Sequence, residues 1–149
     1  MLRKWVVVAI GAAIGLGLMT LGGSAWAQKT KGKTRAAATK YLMRGINQAH
    51  CKGLADLLKD SGPADDKAWE TAACHASCLN EMSYLLMDDG RCPDGVWAGA
   101  AKNLREGSAA VLAAIDKKDL DDAKAAFKTV TGACATCHKA HRQEKKEEK

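Results

Sequence analysis

From residue 34 to residue 141, apolar residues recur at alternating intervals of three and four. The chain's two prolines, Pro63 and Pro93, fall in the gaps between such runs. This spacing lays one stripe along a 3.6-residue helix, whereas a half-buried strand needs alternation at every second residue. The spacing predicts four helices. The first covers about residues 34–59, with Met43, Ile46, His50, Leu54 and Leu57 on its stripe, and Ser61-Gly62-Pro63 ends it. The second covers about 65–87 and carries Ala68, Ala72, His75, Leu79, Met82 and Leu86. After a loop from Asp88 to Pro93, the third covers about 94–115, with Trp97, Ala100, Leu104, Val111 and Ile115. The fourth begins at Asp119, an N-cap with Asp122 three residues on, and its stripe is Leu120, Ala123, Phe127, Val130, Cys134, Cys137 and His141. Short connections make consecutive helices antiparallel. The fold class is therefore all-α, an up-down-up-down four-helix bundle, each helix about 22 residues or about 33 Å long. Its apolar side chains are small, with Phe127 the only phenylalanine, so the core is thin. Trp69, Tyr84 and Trp97 are expected to pack into it.

The first 27 residues read differently. Arg3 and Lys4 precede an apolar run from Trp5 to Gly23, which ends at Ser24-Ala25-Trp26-Ala27. A basic start, an apolar middle and a small-x-small end make a secretory signal peptide, here over residues 1–27. Residues 28–149 then form a single domain. Export to the periplasm is expected, with no stable membrane insertion after cleavage. Loss of Arg3 and Lys4 lowers the net charge from +6 to +4. That mild excess suits docking to acidic redox partners. It does not suit nucleic acid, because no aromatics interleave the basic residues for base stacking.

Cys134-Ala135-Thr136-Cys137-His138 carries the chemistry. C-x-x-C-H is the attachment pattern of a c-type haem. Positions i, i+3 and i+4 share a helix face, so the thiols of Cys134 and Cys137 can both bond one porphyrin while His138 ligates its iron from the proximal side. A zinc half-site would need a second ligand pair at finger-like spacing, and a redox dithiol would need a βαβ setting. The chain offers neither. A covalent haem would also fill volume that this small-residue core leaves open. Arg142, four residues after His138, is placed to meet a haem propionate through charge-assisted hydrogen bonds.

Folding arithmetic orders the layers. Across the first turn, residues at equal height sum to about 125, which sets Met43 opposite Met82 and His50 opposite His75. Across the third turn the sum is about 233–235, which sets Trp97 opposite Cys137. Met43 is thus level with the haem motif and is the candidate distal ligand, with Met82 the second choice. Cys51, Cys74, Cys78 and Cys92 remain after the haem takes two thiols, and in an oxidising compartment an even remainder suggests disulfides. Cys51–Cys74 is best matched in height and Cys51–Cys78 is one turn off. Cys74 and Cys78 stand too far apart on one helix for a disulfide. A second metal site from His50, Cys51, Cys74, His75 and Cys78, for zinc or copper, is the alternative use of this cluster.

The chain resembles the cytochrome c′ family and its low-spin relatives of the cytochrome c556 type, from the first predicted helix to the C-terminus. The resemblance rests on an exported four-helix bundle with a single C-x-x-C-H on the last helix. It also rests on Cys134-Ala-Thr-Cys137-His138-Lys-Ala-His141-Arg142, similar to the family's C-x-x-C-H-x-x-aromatic-Arg, and on Tyr41-Leu42-Met43-Arg44 in the helix that covers the far side of the haem. His141 departs from the usual aromatic, and Thr39-Lys40 stands where Arg-Gln is common. The resemblance implies one haem c and a one-electron carrier with Met43 as sixth ligand. Where the Met43 position is apolar, family members have five-coordinate iron and bind or sense NO or CO. Partners would be other periplasmic redox proteins, and two copies would pair through the first two helices. No Ser-His-Asp set, paired carboxylates or phosphate loop points to an enzyme.

Overall fold

The computed structural model describes residues 31–142. The expected signal peptide over 1–27, its cleavage site and the 143–149 tail lie outside the described residues. Four helices follow one another. Helix α1 is built of three consecutive stretches, Thr39–Leu42, Met43–Gln48 and Ala49–Leu58, the middle one wound as a π-helix. Helices α2, α3 and α4 are Asp66–Leu85, Gly95–Asp116 and Leu120–His141. Among the described residues there is no strand, only an isolated bridge between Lys31 and Ala38. None of these helices is long and apolar enough to cross a membrane.

Three aspartates start three of the helices. The side chains of Asp65, Asp94 and Asp119 accept from the backbone N–H groups of Ala68, Trp97 and Asp122. Each satisfies a donor that the first helical turn leaves without a partner. At the opposite end of α4, Lys139 lies in the last turn, where positive charge suits the helix dipole.

Side-chain contacts fix the antiparallel order. His50 of α1 meets His75 of α2, with Nδ1 atoms 2.9 Å apart. Between α2 and α3, Asn80 Nδ2 donates to Ser108 Oγ at 3.1 Å, and Trp97 Nε1 donates to the Leu86 carbonyl at 2.8 Å. Between α3 and α4, Trp97 stands edge-on to His141 with ring centroids 5.4 Å apart. Gly107 lets these two helices close up, since a Cβ there would stand 3.1 Å from the Val130 backbone N. The core is Leu54, Leu58, Leu79, Met82, Leu86, Trp97, Leu104, Val111, Ile115 and Val130, filled out by buried alanines.

The structure departs from the sequence reading in three places. First, α1 starts at Thr39 rather than near residue 34. The backbone N–H groups of Thr34 and Arg35 donate to the Asp89 carboxylate at 2.9 and 3.0 Å, and the Thr34 hydroxyl donates to it at 3.0 Å. Arg91, fully buried, donates from Nη2 to the Ala37 carbonyl at 3.1 Å. The loop before α3 thus claims polar groups that a longer helix would have used. Second, Trp97 stands edge-on to His141, one turn beyond the Cys137 that the height rule set opposite it. Third, Tyr84 is exposed rather than core, with the Arg105 guanidinium 4.6 Å above its ring. Trp69 is half-buried against the core and Trp97 is buried in it.

Candidate functional site

Helices α1 and α4 meet at only one end. The Ala49–Leu58 stretch of α1 touches α4, while the Met43–Gln48 stretch packs on α2 and residues 39–48 stay away from α4. A cavity of about 590 Å³ opens in the gap, within the ~300–1,000 Å³ range of cofactor and ligand sites. Its floor is apolar, from Leu86, Trp97, Ala100, Ala101, Leu104 and Phe127.

From α4, Cys134, Cys137, His138, His141 and Arg142 line this cavity. They fall on one wall because their spacing follows the helical repeat. From α1 come Thr39, Lys40, Met43, Arg44, Asn47, Gln48, Cys51, Lys52 and Ala55. This is a period of four, not 3.6. In an ideal α-helix each step of four drifts by about 40° around the axis. The π-helical stretch is wider and takes back part of that drift, which keeps Met43, Asn47 and Cys51 on the same side.

The two motif thiols are strongly perturbed. Burial, then the neighbouring Cys51, pushes Cys134 up to about 11. Burial, then Cys134 and Asp94, pushes Cys137 up to about 11. Both are protonated at neutral pH. His138 is held below the ordinary imidazole value, first by partial burial and then by the Arg142 guanidinium. It is therefore neutral at pH 7, the form of imidazole that coordinates metals. Lys40, Arg44, Lys52 and Arg142 border the cavity with no acidic side chain among its lining. Lys52 is paired with Asp56 at 2.5 Å. Arg44 and Arg142 have no acidic partner among the described residues.

Every residue expected to hold the cofactor reaches this cavity: Cys134, Cys137, His138, Met43 and Arg142. Met82 does not, being buried in the core on α2. His141 is buried on the cavity wall, with Nε2 3.4 Å from the Asp94 carboxylate that caps α3.

The remaining cysteines do not pair as the height argument expected. All six are free thiols. Cys51 lines the cavity, while Cys74 is exposed. The two were level, but His50 and His75 occupy the α1–α2 contact, and one residue along a helix is a turn of about 100°. That rotation points Cys51 toward the cavity. Cys92 Sγ lies 3.4 Å from the Asp94 carbonyl. Among the described residues no three His, Cys, Asp or Glu side chains converge on a metal position. Of the proposed metal cluster, the structure brings together only the two histidines.

Sequence reasoning missed Asn47. Its Nδ2 donates to the Met43 sulfur at 3.3 Å, and both residues line the cavity. The four-residue interval between them was the available signal. No protein-family model, curated protein or solved structure matches the chain.

Proposed function

We propose that this chain is an exported one-electron carrier of the cytochrome c′/c556 type. It would hold one haem c through Cys134, Cys137 and His138, with Met43 as the second axial ligand. The observation that carries this reading is that those four side chains, drawn from opposite ends of the sequence, border one cavity of about 590 Å³. The residues present suit the group. Two thiols three apart with an imidazole beside the second supply the attachment set, apolar walls suit the macrocycle, and Arg44 and Arg142 suit its two carboxylates.

When bound, the haem supplies a reversible one-electron couple. The chain's residues set the conditions for it. The neutral His138 ring offers a nitrogen lone pair to the cavity. Met43 offers a soft sulfur from the facing helix, a donor that raises the potential relative to imidazole. Trp97, Leu104 and Phe127 keep water from the interior, and low polarity there also tunes the couple. Arg142 sits at the cavity edge, where a guanidinium can hold a carboxylate in two-point contact.

The test is the purified protein made in a host that attaches haem c. Acidified organic solvent should leave the haem on the polypeptide, and Cys134→Ala/Cys137→Ala should abolish covalent retention. The oxidised protein should be low-spin, with the weak long-wavelength band of a thioether–ferric bond, and should resist carbon monoxide at neutral pH. Met43→Leu should remove that band and admit the gas. Extractable haem sinks the reading. A native protein that is high-spin and takes up carbon monoxide readily favours NO or CO binding instead.

A further inference from the structure

Asn47 lies one turn beyond Met43, inside the π-helical stretch Met43–Gln48. Its Nδ2–H points at the Met43 sulfur from 3.3 Å, the one hydrogen bond its side chain makes among the described residues. Its Oδ1 is fully shielded and has no hydrogen-bond partner among the described residues. Buried amides ordinarily satisfy both ends, whereas this one bonds through its nitrogen alone. The sulfur, an acceptor only, favours this orientation of the amide. Turned over, it would set Oδ1 against the sulfur lone pairs, a repulsive contact. The wide turn keeps the two residues on one side of α1 and makes the contact available.

A thioether sulfur has two lone pairs and is a weak acceptor. A hydrogen bond to one of them leaves the other for a metal and draws electron density away from it. Hydrogen bonds to a ligand from outside the coordination sphere orient the ligand and tune the centre it binds.

We propose that Asn47 is a positioning residue for Met43: its amide holds the thioether toward the cavity and, by polarising the sulfur, raises the reduction potential of the centre that Met43 ligates. This deepens the haem reading and rests on it. A less electron-rich sulfur stabilises ferric iron less than ferrous iron, so removing the donor should favour the oxidised state.

The experiment compares the wild-type holoprotein with Asn47→Leu, which keeps the volume and removes the donor, and Asn47→Ser, which restores a hydroxyl donor. Haem content and far-ultraviolet circular dichroism are followed alongside. Equilibration against a mediator of fixed potential should show Asn47→Leu about two- to threefold less reduced than wild type, the scale of one weak hydrogen bond. The thioether–ferric band should shift, and Asn47→Ser should recover part of both effects. If Asn47→Leu does not accumulate as holoprotein, Asn47→Ala carries the same comparison. Unchanged potential and band in a variant whose wild-type parent shows the Met–iron band overturn the role of Asn47 and leave the haem reading intact. A wild type without that band removes Met43 ligation, and with it this proposal, before any variant is made.

Discussion

His50 Nδ1 and His75 Nδ1 stand 2.9 Å apart, so one imidazole donates and the other must accept. The contact requires at least one neutral ring, and it ties α1 to α2 just beyond the π-helical stretch. His75 is held below the ordinary imidazole value by burial first and by His50 second.

A histidine pKa depressed by folding leaves stability at its full value above the unfolded ~6.5 and removes it as pH falls through the lower folded value. Urea midpoints should therefore be flat from pH 8 to about 7 and decline below about 6.5. His75→Phe should flatten that decline. An acid slope identical in His75→Phe and wild type would show that the pair does not set it.

Gly53 lies flat beneath the His75 ring, and a Cβ there would fall well inside contact distance of Nε2, Cε1 and Cδ2. Gly53→Ala should gain about 0.5–1 kcal/mol of helix preference and lose about 1–3 kcal/mol to overpacking, for a net loss. In a His75→Ala background the overpacking disappears and the same change should stabilise. Equal effects in both backgrounds, measured by denaturant unfolding, would rule out the contact.

In the haem-free protein, Cys134 and Cys137, each near 11, should alkylate slowly at neutral pH because the thiolate is the reactive form. Raised to about 11, these thiols hold roughly a hundredfold less thiolate at neutral pH than an ordinary cysteine. Exposed Cys74 serves as the internal comparison. Mass spectrometry of iodoacetamide-treated protein should show Cys74 labelled first and the motif thiols catching up only as pH approaches 11. Early labelling of Cys134 or Cys137 at pH 7 would mean that the α4 wall is not buried in solution.

Asp89 holds residues 31–38 through Thr34 and Arg35, while Arg91 holds the Ala37 carbonyl. Asp89→Ala should release that segment and leave α2, α3 and α4 in place. Limited proteolysis should then cut near Lys33 and Arg35 several times faster, with little change in helicity. Unaltered cleavage would show that the contacts left in place, Lys33 N–H to the Asp89 carbonyl, Arg35 to Asp88 and Arg91 to the Ala37 carbonyl, suffice.

The helices were legible because each carries an apolar stripe at its own period, and Asp119 could be read as a cap because its partner sits three residues away. The motif wall of α4 was legible for the same reason, since Cys134, Cys137 and His138 need only one helix to come together. The height rule also paired His50 with His75 correctly. It failed for Cys51 and Cys74, because equal height says nothing about rotation around the axis. The start of α1 was not legible, because it depends on Asp89, 55 residues beyond Thr34. Nor was the wide turn, since no residue among Met43-Arg44-Gly45-Ile46-Asn47-Gln48 marks a change of winding. The four-residue interval from Met43 to Asn47 was visible, but what it meant depended on that winding.

That wide turn amounts to a one-residue insertion preserved within α1. Deleting Gly45, whose side-chain position meets nothing within 4 Å, would let the backbone close into an ordinary α-helix. Because the wide turn already absorbs the extra residue, the excision would leave the flanking residues pointing much as before, whereas closing the same stretch into an α-helix with no residue removed would swing everything upstream by about 100° and carry the sulfur of Met43 off the cavity. The ligand's aim is therefore stored in the winding of the helix as much as in the identity of the residue.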